Sequence, residues 1–208
     1  EIEQTYMQMA FHGQNATLIS NIINFEKNYA CLEKILCGFN PRIVLNKHFP
    51  QGRSRVAAEE SLLNEFATNG IISNTGNSTK RPNAIMAGYV SMLLDSALYL
   101  STFNSKSEVV EDLKKHYKGN DVKPLINYFR SKVKSRFSIA LTCDFLKEYS
   151  EEFDLPKPDI HIKDTLCAYK KLTDDYYHTE KREYECIKHM QELTSEINKE
   201  LRSNGQKP

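Results

Sequence analysis

The chain has 208 residues, 40% of them apolar, with 28 Lys plus Arg against 27 Asp plus Glu. That length and apolar content exclude a largely disordered protein and suffice for one substantial core or two small lobes. The near balance of charge excludes a protein that is basic overall, so a nucleic-acid surface would have to come from local clustering.

Helical periodicity dominates from the N-terminal side, and alternating strand patterns of useful length are nearly absent, which predicts an all-α fold. Leu18, Ile19, Ile22, Ile23, Phe25, Ala30, Leu32, Ile35 and Leu36 form broad apolar stripes that stop where Gly38 and Pro41 punctuate the chain. Asn40-Pro41 starts a short helix to about Phe49. After Pro50-Gln51-Gly52 a second runs from Ser54 to Thr68 and is closed by Asn69-Gly70. Residues 73–82 are rich in Ser, Thr, Asn and Gly, and mark the best internal boundary. The next helix, about Asn83 to Phe103, is apolar almost all round, as a helix central to a core is. Ser105 opens another helix that Lys118-Gly119-Asn120 ends, and Pro124 suits the first turn of one reaching about Lys132. A charged helix from about Thr173 to Leu201 carries a narrow apolar stripe of Tyr177, Tyr184, Ile187, Met190, Leu193 and Ile197, which reads as a terminal helix packing back. The expected organisation is an N-terminal lobe over 1–82, a second lobe over 83–172 and a terminal helix over 173–208.

The five cysteines are odd in number and widely spaced, with no C-x-x-C pair, which points to free thiols in a reducing compartment. With apolar stretches far short of a membrane span, the expectation is an intracellular protein without membrane association. The histidines other than His161 show no metal-ligand spacing, and Arg53-Ser54-Arg55 reads either as a phosphate site or as a solvated helix start.

The segment from Ile126 to Leu141 forms one unit: an apolar helix end, a short basic turn containing Lys132, Lys134 and Arg136, and a new apolar helix that runs through Cys143, Phe145 and Leu146 to about Phe153. Leu155-Pro156-Lys157-Pro158-Asp159-Ile160-His161-Ile162-Lys163 then sets one carboxylate between prolines and a helical pattern. Each proline fixes its own φ and biases the residue before it towards extended geometry, so the chain turns into a helix near Asp159. A carboxylate there is equally a good N-cap, because its oxygens accept orphan backbone N–H groups.

From about Ala84 to Leu172 this order of helix, hairpin, helix, constrained loop, aspartate and helix resembles the helix-hairpin-helix DNA glycosylase superfamily, whose members excise damaged or modified bases. The resemblance is most specific at Pro158-Asp159-Ile160-His161-Ile162. It implies a two-lobed helical fold, Asp159 as the catalytic carboxylate and His161 as a structural histidine beside it. The family's hairpin reads hydrophobic-x-Gly-hydrophobic-Gly-x-Lys-x-Ala, and here Lys132 and Lys134 stand at the glycine positions. Backbone approach to a phosphate is then replaced by side-chain charge from Arg130, Lys132, Lys134 and Arg136, with Lys163 added from the following helix. Arg136 stands where bifunctional members carry a Schiff-base lysine, and arginine is a poor amine nucleophile, so the implied enzyme is monofunctional. Asp95, Ser96 and Tyr99 occupy the helix on which the family places base or DNA contacts; for Asp95, internal pairing is the competing role. The implied partner is double-stranded DNA with a modified base, bound by a monomer without cofactor or metal. The alternative is a non-catalytic all-α module that binds DNA or protein, with Asp159 as an N-cap.

Overall fold

A computed structural model describes residues 1–14, 17–72, 82–119, 121–134, 137–168 and 180–207. The protein is all-α; among the described residues there are eleven helices, and the only β-type pairing is an isolated bridge between Lys118 and Asp121. No helix of the described residues is long and apolar enough to cross a membrane. Two compact units divide the chain, Glu1–Leu113 with Phe129–Phe137, and Lys114–Tyr128 with Ser138–Pro208.

The first unit is laid around α6 (Pro82–Leu100), which packs against α1 (Ile2–Gly13), α2 (Thr17–Ile23), α4 (Pro41–His48) and α5 (Arg55–Thr68). Met86, Tyr89, Val90, Met92, Leu93, Leu94, Ala97, Tyr99 and Leu100 are all buried, as expected of a helix with an apolar surface on nearly every side. Two tyrosine hydroxyls tie α1 to it: Tyr6 donates to the Leu93 carbonyl at 3.1 Å and Tyr89 to the Ala10 carbonyl at 2.9 Å. Burial of Tyr6 pushes its pKa well above the ordinary phenol value, with the Tyr89 and Cys37 side chains adding to the effect. Helix α1 precedes the first of the expected elements; its signal is Ile2, Tyr6, Met9 and Ala10, spaced i, i+4, i+7, i+8 and all buried. Helix α6 ends at Leu100 and not at the expected Phe103: the Thr102 and Phe103 N–H groups bond three residues back, to the Tyr99 and Leu100 carbonyls, and the Arg42 guanidinium takes the Ser101 and Phe103 carbonyls beyond the end at 3.2 and 3.0 Å.

Helix starts follow the polar residues the sequence supplies. Asn40 accepts from the N–H groups of Arg42 and Ile43 to open α4, and Ser54 accepts from Ala57 to open α5. Between α3 (Phe25–Ile35) and α4, three successive residues have left-handed backbone: Cys37 (φ 53°), Gly38 (φ 68°) and Phe39 (φ 58°). Only the glycine adopts this freely, and each of the other two costs roughly 1–2 kcal/mol. The return is burial of Phe39, whose ring centroid lies 6.1 Å from that of Phe25 and 5.7 Å from that of Tyr29.

Around α6 the units depart from the expected boundary at 82. Residues 73–81 lie outside those described, and α6 joins α1–α5 because its buried surface is matched by theirs.

In the second unit α9 (Ile139–Tyr149) packs against α11 (Glu180–Ser203), with α10 (Ile160–Ala168) before it. The expected start of the terminal helix near Thr173 lies outside the described residues. Helix α8 (Lys123–Lys132) crosses the division, its residues 123–128 in this unit and 129–132 in the first. Ser138 caps α9 by accepting from Leu141, and the extended backbone of Ser150 (φ −153°, ψ 134°) stops it short of the expected Phe153. Phe153 is buried edge-on against Tyr117 at 5.5 Å.

His48 gives the first unit a pH dependence. Its ring is 1% exposed, with Nδ1 3.0 Å from the Ser61 hydroxyl. Burial lowers its pKa below 6.5; Glu65 opposes that shift, while Lys47 and Arg53 reinforce it. The unfolded chain therefore binds this proton more readily than the folded one. Stability is full above the unfolded value of about 6.5 and is lost as pH falls from there through the lowered folded value. Denaturant midpoints measured between pH 7.5 and 5 should fall, and His48→Gln should flatten that part of the profile.

Candidate nucleic-acid turn and carboxylate

The basic turn is built on an apolar base. Phe129, Val133 and Phe137 are buried, and the two phenylalanine rings meet edge-on at 5.1 Å. Arg130 closes the turn by donating from Nε to the Phe137 carbonyl at 3.0 Å. The Lys134 N–H donates to Asp95 Oδ2 at 3.3 Å, while Asp95 Oδ1 pairs with Arg55 Nη2 at 2.9 Å. Arg55 also donates to Glu59, to the Ser91 carbonyl and to the Ser91 hydroxyl, at 2.7, 2.7 and 3.0 Å. Asp95 thus links α5, α6 and the turn, and Lys132 and Lys134 are exposed. Arg136, the remaining residue of the basic set on this turn, lies outside the described residues.

The three α6 residues expected to face a base are engaged within the first unit. Asp95 has the partners just given. Ser96 is fully buried with its hydroxyl 3.4 Å from Met92 Sδ, and Tyr99 donates from its hydroxyl to Asp112 Oδ2 at 3.2 Å. Arg55 was legible as half of an i, i+4 pair with Glu59, but its second carboxylate lies on α6, 40 positions further on by number. Its neighbour Arg53 donates to the His48 carbonyl at 3.1 Å.

Asp159 is the N-cap of α10. Its Oδ1 accepts from the Ile162 N–H at 3.0 Å, its carbonyl accepts from Lys163 N–H at 3.0 Å, and its own N–H donates to the Lys157 carbonyl at 2.9 Å. Before it, Phe153, Leu155 and Pro158 are buried, and Lys157 Nζ lies 2.8 Å from Asp144 Oδ2, so the loop is fastened at both apolar and charged points. Asp159 itself is half-buried, and its Oδ2 has no hydrogen-bond partner among the described residues. His161 is exposed in the first turn of α10, and its carbonyl accepts from Thr165 Oγ1 at 2.8 Å. Lys163, expected on DNA, pairs with Glu183 at 3.2 Å with its side chain only 12% exposed, and so braces α10 against α11.

Behind α10 lie thiols. Burial pushes Cys143 up to about 12, with Glu183, Asp144 and Cys186 adding to the rise. Burial likewise pushes Cys186 up to about 11; Lys163 opposes, while Glu183, Asp159 and Cys167 reinforce. Among the described residues no three His, Cys, Asp or Glu side chains converge as metal ligands.

Comparison with protein-family models, with curated proteins and with solved structures finds no match for the chain.

The anchoring role of Asp95 is testable. Asp95→Ala leaves Arg55 short of one partner and frees the Lys134 N–H, which should cost about 1–2 kcal/mol of stability. Limited proteolysis should then cut the 132–138 turn faster than in the wild type, with the rest of the fragment pattern unchanged.

Proposed function

We propose that the chain is a DNA glycosylase-like protein that hydrolyses the N-glycosidic bond of a damaged or modified base without a lysine Schiff base. The observation that supports this reading is the condition of Asp159. A single cap bond to the Ile162 N–H orients the carboxylate through Oδ1, and Oδ2 is left unbonded among the described residues.

As the glycosidic bond breaks, positive charge develops on the sugar, and an ionised Asp159 stabilises that oxocarbenium-like state while orienting or deprotonating the attacking water. The base has to leave the duplex to reach it. Lys132 and Lys134 supply contacts to the DNA backbone by side-chain charge, the role that the turn's fastening to Asp95 and Phe137 suits them for.

The same cap bond favours a second reading, a non-catalytic helical module in which Asp159 only starts α10. Two substitutions separate the two. Asparagine caps as well as aspartate but carries no charge, whereas alanine loses the cap at a cost of about 1 kcal/mol. Under the catalytic reading, Asp159→Asn keeps the melting temperature and duplex affinity but lowers excision by on the order of 10²-fold or more. The assay is release of base from duplexes carrying alkylated, deaminated, oxidised or hypermodified bases. Absence of wild-type excision across that panel, with Asp159→Ala only less stable, would establish the cap reading.

Backbone binding has its own measurement. When Lys132 and Lys134 are replaced by alanine, the slope of log K against log salt for a plain duplex should flatten by about 0.9 for each phosphate that is no longer neutralised. An unchanged slope removes the turn from the interface.

A further inference from the structure

The second unit brings three of the five cysteines together. Cys186, in the second turn of α11, is fully buried with Leu166 of α10, and Ile162, Cys167 and Met190 pack against that pair. Cys143 of α9 is also fully buried, and the Cys186 thiol adds to the rise of its pKa; Cys167 acts on Cys186 in the same way. None of the three is in a disulfide, and of the three only Cys167 keeps partial exposure. A partly exposed thiol packed against the cluster that holds a buried one, on two helices already braced by Lys163 and Glu183, suits a peroxide-reacting cysteine and its resolving partner.

We propose that Cys167 and Cys186 form an oxidation site for hydroperoxides, in which Cys167 reacts and Cys186 closes on it as a disulfide. In the first step the Cys167 thiolate attacks one peroxide oxygen. The S–O bond forms, the O–O bond breaks, and the leaving oxygen departs as water with the proton the thiol gave up. In the second, the Cys186 sulfur attacks the sulfenic sulfur, the S–O bond breaks, and the departing hydroxyl leaves as water with the Cys186 proton. Two thiols thus lose two electrons and two protons, and one hydrogen peroxide becomes two waters. Burial keeps Cys186 protonated and away from bulk peroxide, so it enters only at the second step. The bond joins the last turn of α10 to the second turn of α11 and locks the helix that Asp159 caps. Neither thiol takes part in the proposed excision, so the site stands or falls separately from it.

The full chain is treated with hydrogen peroxide, alkylated, digested without reduction and mapped by mass spectrometry. A peptide pair linked through Cys167 and Cys186 is expected, together with a melting temperature raised by roughly 5–10 °C that reductant reverses. The link should vanish in Cys167→Ser and persist in Cys143→Ser; if the buried Cys143 variant does not fold, the wild-type map decides alone. A Cys143–Cys186 link, Cys167 oxidised to sulfinic acid with Cys186 unlinked, or Cys167 left unoxidised overturns the proposal.

Discussion

Helix α6 has no broad face that water can cover cheaply, so the first unit is the set of helices needed to enclose it. Nine of its apolar and aromatic residues from Met86 to Leu100 are buried, and each large apolar side chain removed from water contributes about 1.5–3 kcal/mol. Enclosure of that kind leaves few positions for polar groups, and those present must be satisfied. Tyr89 reaches the Ala10 carbonyl, and Asp95 and Ser91 are met by Arg55. The basic turn inherits its position from this requirement, because the carboxylate that balances Arg55 also accepts the Lys134 N–H.

The second unit places a carboxylate by a different means. Buried Phe153, Leu155 and Pro158 bring the chain to Asp159, and the first turn of α10 holds it through a bond that any N-cap would make. Capping and chemistry are compatible in one residue, since a cap needs one oxygen and a carboxylate has two. The cap fixes direction without neutralising charge. The same unit uses Lys163 for internal bracing, through its ion pair with Glu183.

Much of the local structure was legible in the chain. Asn40, Ser54 and Asp159 each open a helix where expected, and the apolar surface of 83–100 marked the central helix, because capping and periodicity act over three or four residues. Helix α1 was not among the expected elements, although its i, i+4, i+7, i+8 spacing is just as legible. Helix ends were less so: α6 gives way to a turn whose Ser101 and Phe103 carbonyls are taken by Arg42, far back in the chain, and α9 stops at an extended Ser150.

By itself the sequence determined an all-α protein, the positions of its caps and turns, and a carboxylate set at a helix start. Only the tertiary structure decided that Asp95, Ser96 and Tyr99 are engaged internally, that Lys163 pairs with Glu183, and that α6 belongs with the N-terminal helices. It alone gathered Cys143, Cys167 and Cys186 from three helices. The physical reason is range. A cap or an apolar stripe is settled by neighbours one turn away, whereas the partner of a charge or a thiol is settled by which helices the burial of apolar surface brings together.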